Sequence, residues 1–220
     1  MKQKIDLQKI SILKENQTYR IGDIFFGTGI RFQHDRNSIL TDPQYKSTIL
    51  FNYLQNKQKE RDVSTMQKVI DHHIDLHNYP TPGENELVIH LRLGDILQHK
   101  KTINYYHETY DRLNKKINFK NFSKISIVTA LHFGSFSNHP KGPKFMFSEK
   151  ARETSFTAFR FVESQINAAG HSVNLISSDN IDKDFCYMVK SRWFIKSQGG
   201  FSSLISNLLS DSSKCICLNN

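Results

Sequence analysis

The segment His90-Leu91-Arg92-Leu93-Gly94-Asp95 places an imidazole, a guanidinium and a carboxylate close together at the end of an apolar run, Leu87-Val88-Ile89. In an extended strand alternate side chains face opposite sides, so Ile89, Leu91 and Leu93 line one face while His90 and Arg92 share the other. Arginine keeps its charge at every ordinary pH and is costly to bury alone. Arg92 therefore calls for a carboxylate, carbonyl oxygens or an anionic ligand. Gly94 permits a sharp exit at the carboxyl end of the strand, where open α/β sheets bind their ligands. Asp95 either holds Arg92 or orients His90, and the plainer alternative is an internal Arg92–Asp95 salt bridge that only closes the strand.

A second cluster lies toward the C-terminus: Ser178-Asp179 after a predicted strand, Asp184-Phe185 in a helical stretch, and the loop Ser197-Gln198-Gly199-Gly200-Phe201-Ser202-Ser203. A strand, a small polar loop and a helix in that order is the arrangement in which backbone N–H groups at a helix start receive phosphate. Gly199 and Gly200 let a ligand approach the backbone, and Ser202 and Ser203 can both cap the helix and donate to an anion. Two other groups read as structural. His73 and His77 are one helical turn apart, next to His72, but lack the acidic partner of a zinc-protease motif and are assigned to a surface or cap role. Cys186, Cys215 and Cys217 cannot all pair, and a C-x-C with one distant thiol lacks a fourth zinc ligand, so all three are expected as reduced thiols and no metal is expected.

The elements that must position these residues follow from punctuation and periodicity. Tyr79-Pro80-Thr81-Pro82-Gly83 prevents both helix and central strand, so a boundary is placed there. Residues 1–82 are expected as an N-terminal, acceptor-side subdomain and residues 83–220 as a Rossmann-like domain. Before the boundary, a helix is expected over Gln44–Gln58 and an amphipathic one over Ser64–His77. After it, strands are expected at Glu86–Leu93, Lys124–Leu131, Ser172–Ser177 and Trp193–Lys196. Helices are expected near Tyr105–Leu113, Ala151–Ala169, Asp182–Val189 and Ser203–Leu209. Alternating strands and helices predict parallel βαβ units and an α/β fold. Gly170 fits a helix C-cap, and the long polar stretch His132–Ser148 fits a lid or wall at a strand end.

Composition narrows the function classes. The chain has 220 residues, 38% hydrophobic and 23% charged, with 10 Gly and 5 Pro, which excludes collagen-like, disordered and coiled-coil classes. A net charge of +9 favours anionic partners: a phosphorylated metabolite, nucleic acid or an acidic surface. Aromatic residues are spread along the chain with no zinc-finger, RNP or recognition-helix pattern, so nucleic acid is the less favoured partner. No run of roughly 18 apolar residues exists to span a membrane. The opening Met1-Lys2-Gln3-Lys4-Ile5-Asp6 has no apolar core of a secretory signal, and a cytoplasmic, soluble protein is expected.

His90-Leu91-Arg92-Leu93-Gly94-Asp95 resembles the H-x-R-x-G-D motif of the α1,2-fucosyltransferases and the related α1,6- and protein O-fucosyltransferases. The segment from Ser178 through Asp184-Phe185 to Gly199-Gly200-Phe201-Ser202 is similar to their later motif, an Asp-Phe pair before a Ser/Thr-Gly-Phe or Ser-Thr-Phe-Ser loop. The likeness covers roughly residues 86 to 210. It implies a GT-B architecture whose nucleotide-sugar half lies here, and an inverting, metal-independent transfer from a nucleotide sugar, GDP-fucose favoured, to a glycan hydroxyl. No cofactor is implied beyond that donor. By the resemblance Arg92 contacts the donor diphosphate, His90 and Asp95 complete the catalytic group, and Ser178, Asp179, Asp184, Ser197, Gly199, Gly200, Phe201, Ser202 and Ser203 line the donor site. Asp184 accepts from the base or ribose, or is an N-cap. The family often has two adjacent arginines where this chain has Arg92-Leu93, and Phe26-Gly27-Thr28-Gly29-Ile30-Arg31-Phe32-Gln33 stands where a G-x-G-N-Q element often lies; Asp23, His34 and Asp35 are the polar residues near it. The alternatives are a transferase for another nucleotide sugar, or a catalytically silent nucleotide- or nucleic-acid-binding module.

Overall fold

The computed structural model describes residues 4–14, 63–98, 100–133 and 149–217. The expected helix over Gln44–Gln58, the polar residues Asp23, His34 and Asp35 with the Phe26–Gln33 segment, and most of the His132–Ser148 loop lie outside them.

Short, apolar, β-branched segments form a five-stranded parallel sheet: β2 (Glu86–His90), β4 (Lys124–Val128), β6 (Val173–Ile176), β7 (Trp193–Lys196) and β8 (Lys214–Cys217), in the order β6-β4-β2-β7-β8. β2 is central, with Ile89 opposite Ile127 on one side and Ile195 on the other. The chain moves outward from β2 to β4 and β6, then crosses back to β7 and β8. Its direction of travel therefore reverses between β2 and β7. This doubly wound order is compatible with a Rossmann-like fold, and the carboxyl ends of strands at such a reversal are where open α/β sheets bind their ligands.

Helices cover both faces because both faces of the strands are apolar. On one side α2 (Lys100–Lys116) and α3 (Glu149–Ala168) pack Tyr106, Tyr110, Leu113, Phe159, Val162 and Ile166 onto Leu87, Ile89, Ile125 and Ile127. On the other, α4 (Ile181–Val189) and α5 (Gly200–Leu208) pack Phe185, Leu204 and Ile205 onto Val88, Val128 and Phe194. The alternation Leu87/Val88/Ile89 thus sorts side chains between two cores. Gly170, at φ +96°, ends α3 as the sequence reading expects of a C-cap.

Residues before Pro82 share this packing. α1 (Val63–His77) presents Met66 and Ile70 to the α4/α5 core, and β1 (Ile12–Lys14) joins β5 (Leu131–Phe133) and β3 (Leu93–Gly94) in a second, three-stranded parallel sheet in the order β1-β5-β3. Among the described residues, segments on both sides of Pro82 thus contribute to the same cores. The segment before β1 is held by α3: Ile5 N–H donates to Glu163 Oε1 at 2.9 Å, and Arg160 donates to Ile5 C=O at 2.7 Å.

The small sheet corrects two strand lengths. Glu86–Leu93 and Lys124–Leu131 were expected to be continuous, but both break after the main sheet and resume as β3 (Leu93–Gly94) and β5 (Leu131–Phe133). β1 and β8 are strands that no expected element covered. Among the described residues no helix is long and apolar enough to cross a membrane.

Candidate functional site

The break in β2 brings the sequence-predicted residues together. Leu91 and Arg92 leave the main sheet and would strand four main-chain polar groups, yet each has a partner. Leu91 N–H donates to Val128 C=O at 3.0 Å, Leu91 C=O accepts from Thr129 Oγ1 at 2.6 Å, Arg92 N–H donates to Ser197 Oγ at 3.3 Å, and Arg92 C=O accepts from the Tyr106 hydroxyl. Gly94, at φ +88°, donates its N–H to Ser155 Oγ at 3.0 Å. A break whose buried backbone is fully partnered is a formed feature rather than a frayed strand end.

Through that break the Arg92 side chain crosses to the β7–α5 loop. A Cβ built on Gly199 would collide with Arg92 Nη1 and would lie 3.4 Å from Cζ and 3.8 Å from Cδ. A Cβ here would displace the guanidinium, and the backbone at φ +100°, ψ 166° is one that only glycine adopts readily. Gly199 is the N-cap of α5, and among the described residues no side chain caps that helix. The helix start carries about half a positive charge through its N–H groups. With the guanidinium beside it, two positive features converge on the carboxyl end of β2 and β7.

The serines of the loop bond to its own backbone. Ser202 Oγ, fully buried, accepts from Ser197 N–H at 2.9 Å, and Ser203 Oγ donates to Gly199 C=O at 3.1 Å. Neither hydroxyl caps the first turn of α5. Both shape the loop, as does Ser197, whose hydroxyl accepts from Arg92 N–H. Gly200 opens α5, and the partly buried Phe201 ring packs edge-on to His90, 5.3 Å between centroids, and 5.7 Å from Phe185.

His90 is 8% exposed, and its Nδ1 has no hydrogen-bond partner among the described residues. Burial, and then the adjacent Arg92 charge, pull its pKa down to about 3, so the ring is neutral at ordinary pH. A neutral imidazole offers one donor and one acceptor, which suits it to bind a ligand rather than to carry charge. Asp95 begins a 3-10 helix, Asp95–Gln98; its side chain, and with it the expected Arg92–Asp95 pair, lies outside the described structure.

Ser178, Asp179 and Asp184 stand at the same end of the sheet but behind β6, two strands from β2, about 10 Å along the sheet. The N-cap of α4 is Asn180, whose side chain accepts from Lys183 N–H, so Asp184 is not the cap. Its carboxylate instead accepts from Ser178 N–H at 3.1 Å and lies 2.9 Å from Ser178 Oγ, closing the β6–α4 loop on itself. Burial raises its pKa to about 6 against the opposing pull of those hydrogen bonds and of Lys183, with Asp179 adding a smaller raising effect. Asp179 is exposed.

Two other groups are structural. On α1 and just beyond, His73, His77 and Tyr79 form a run of ring contacts, 5.5 and 5.2 Å between centroids. At the amino end of β2 the buried Glu86, which the sequence reading did not single out, accepts from Gly83 N–H at 3.1 Å and from the hydroxyls of Ser126 and Tyr187, and pairs with Lys124 at 3.2 Å. Burial raises its pKa, but these donors outweigh it and hold the carboxyl below its ordinary value.

The fold and site define an α/β protein with a parallel five-stranded sheet, in which Arg92 lies against Gly199 at the start of α5, beside the point where the strand order reverses. No family model, no curated protein and no solved structure matches the chain.

Proposed function

We propose that this protein binds a nucleoside diphosphate sugar in the β2/β7 crevice and transfers its glycosyl group, with GDP-fucose as the favoured donor and a glycan hydroxyl as acceptor. The observation that supports this most is the seating of Arg92 on Gly199, at the uncapped start of a nine-residue helix where the sheet reverses. A diphosphate is the ligand whose charge and oxygen acceptors fit a guanidinium beside helix N–H groups. The preference for GDP-fucose, and the reading of the sheet as the donor half of a GT-B enzyme, rest on the motif resemblance.

In the proposed reaction the acceptor oxygen attacks the anomeric carbon as the bond to the diphosphate oxygen breaks. The nucleoside diphosphate leaves with the bonding pair, and the acceptor's proton is released. Negative charge therefore grows on the leaving group, where Arg92 and the α5 amides stabilise it without having to reorganise. His90, neutral and with Nδ1 available, supplies a hydrogen bond to the bound donor rather than a second charge.

The reading is tested by following GDP release from GDP-fucose with a panel of glycan acceptors, for the unsubstituted chain and for Arg92→Ala. Acceptor-dependent release that falls in the variant supports it. Binding of GDP with no release for any acceptor selects the silent binding module, and an Arg92→Ala enzyme of full activity removes the role given to that residue.

A further inference from the structure

We infer that Tyr106 is a positioning residue for Arg92: its buried hydroxyl fixes the strand break from which Arg92 reaches the anion site. The inference rests on the nucleotide-binding reading above and extends it to a residue no motif marks.

Where β2 leaves its neighbours, the Leu91 and Arg92 carbonyls lose their sheet partners. Both are recovered by side chains from elements that take no other part in the site: Thr129, in the gap between β4 and β5, serves Leu91, and Tyr106, on α2, serves Arg92. Tyr106 is fully buried in the α2/α3 core, so its ring cannot turn the hydroxyl elsewhere. Its bond to the Arg92 carbonyl sets the orientation of the peptide that follows Arg92, and the Ser197 bond to the Arg92 N–H sets the one that precedes it. Together they fix the direction of the Arg92 Cα–Cβ bond. The long side chain then falls on Gly199, where no Cβ obstructs it. Without the hydroxyl, a buried carbonyl is left unsatisfied, and its relief is a rotation of that peptide, which swings the guanidinium away from the start of α5.

A tyrosine that only supported the core would lower stability and leave the Arg92 contribution intact. The two roles are separated by a double-mutant cycle read in GDP affinity. Calorimetric titration with GDP is made on the unsubstituted chain, Tyr106→Phe, Arg92→Ala and the double variant. Tyr187→Phe is the control, since it removes a buried hydroxyl at the amino end of the sheet, remote from the site. Tyr106→Phe is expected to weaken GDP by about fivefold or more, to have no further effect once Arg92 is alanine, and Tyr187→Phe to bind as the unsubstituted chain does. Equal affinity in Tyr106→Phe, or the same loss in both Arg92 backgrounds, overturns the inference while the nucleotide reading stands. Absence of GDP binding by the unsubstituted chain overturns both. If Tyr106→Phe does not fold, Thr129→Val and Thr129→Ser test the same break through its other carbonyl. Loss of affinity in valine and recovery in serine support it, and no difference between them overturns it.

Discussion

The guanidinium of Arg92 rests on the Cα of Gly199, so that the strand leaving the centre of the sheet and the helix opening beside it meet at one charged contact. The two residues are far apart in sequence but meet just beyond the carboxyl ends of β2 and β7, because those strands are paired neighbours at the point where the strand order reverses.

Gly199→Ala tests that contact. The added Cβ meets the guanidinium and forces a glycine-only backbone conformation, which costs about 1–3 kcal/mol. Thermal denaturation should show the loss of stability, and titration with GDP should show a loss of affinity at least as large as that of Arg92→Ala. Unchanged affinity would mean that Arg92 does not act from its position on Gly199.

His90 should titrate far below a free histidine. Its pKa is lowered from 6.5 to about 3, so the unfolded chain takes up a proton as pH falls below 6.5 while the folded chain does not. The His90 contribution to stability is present above that pH and is lost progressively toward pH 3. An NMR titration of its ring Cε1–H resonance is expected to show no inflection above pH 5. A midpoint near 6.5 would show a solvated, chargeable ring and would remove the neutral hydrogen-bonding role.

Asp184 works in the opposite sense. Its pKa is raised from 3.8 to about 6, so its contribution is fully present below 3.8 and lost as pH rises through 6. Relative to Asp184→Asn, the unsubstituted chain should gain on the order of 2–3 kcal/mol as pH falls from 7 to 4. Urea unfolding of both proteins at a series of pH values measures this difference, and parallel pH profiles would show that the carboxyl is already ionised and solvated in the folded state.

Glu86 organises the amino end of the sheet. Glu86→Ala leaves the Ser126 and Tyr187 hydroxyls and the Gly83 N–H without their acceptor, at a cost of roughly 2–4 kcal/mol. The melting temperature should fall while GDP affinity of the folded fraction stays constant, because the site lies at the other end of β2. A selective loss of affinity would couple the two ends of the strand.

The alternation of Leu87, Val88 and Ile89 and the spacing of the later helices made the parallel α/β sheet readable before any coordinates. Trp193–Lys196 is a strand over the residues expected, and Glu86–Leu93 and Lys124–Leu131 contain the strands that were expected there. The breaks after His90 and Val128 were not readable, since Leu93 and Leu131 suit a strand whichever sheet they join. β1 and β8 are short strands at sheet edges that take their partners from distant residues. At the site, Arg92 and the Gly199-Gly200 loop could be placed from their types and order. The bonds of Ser197, Ser202 and Ser203 to the loop's own backbone were not readable, because the choice among equivalent hydrogen bonds is one that composition does not determine. Tyr106 and Glu86 gave no signal, because one reads as a helix aromatic and the other as a surface acid at the start of a strand.

The most direct test of the central claim is calorimetric titration of the purified protein with GDP, UDP, GDP-fucose and a short single-stranded oligonucleotide, repeated with Arg92→Ala. The account predicts selective binding of a guanine nucleotide that is weakened at least about thirtyfold, or roughly 2 kcal/mol, in the variant. No nucleotide binding, with oligonucleotide binding that falls steeply as salt rises, would contradict it and assign the positive charge of the chain to nucleic acid instead.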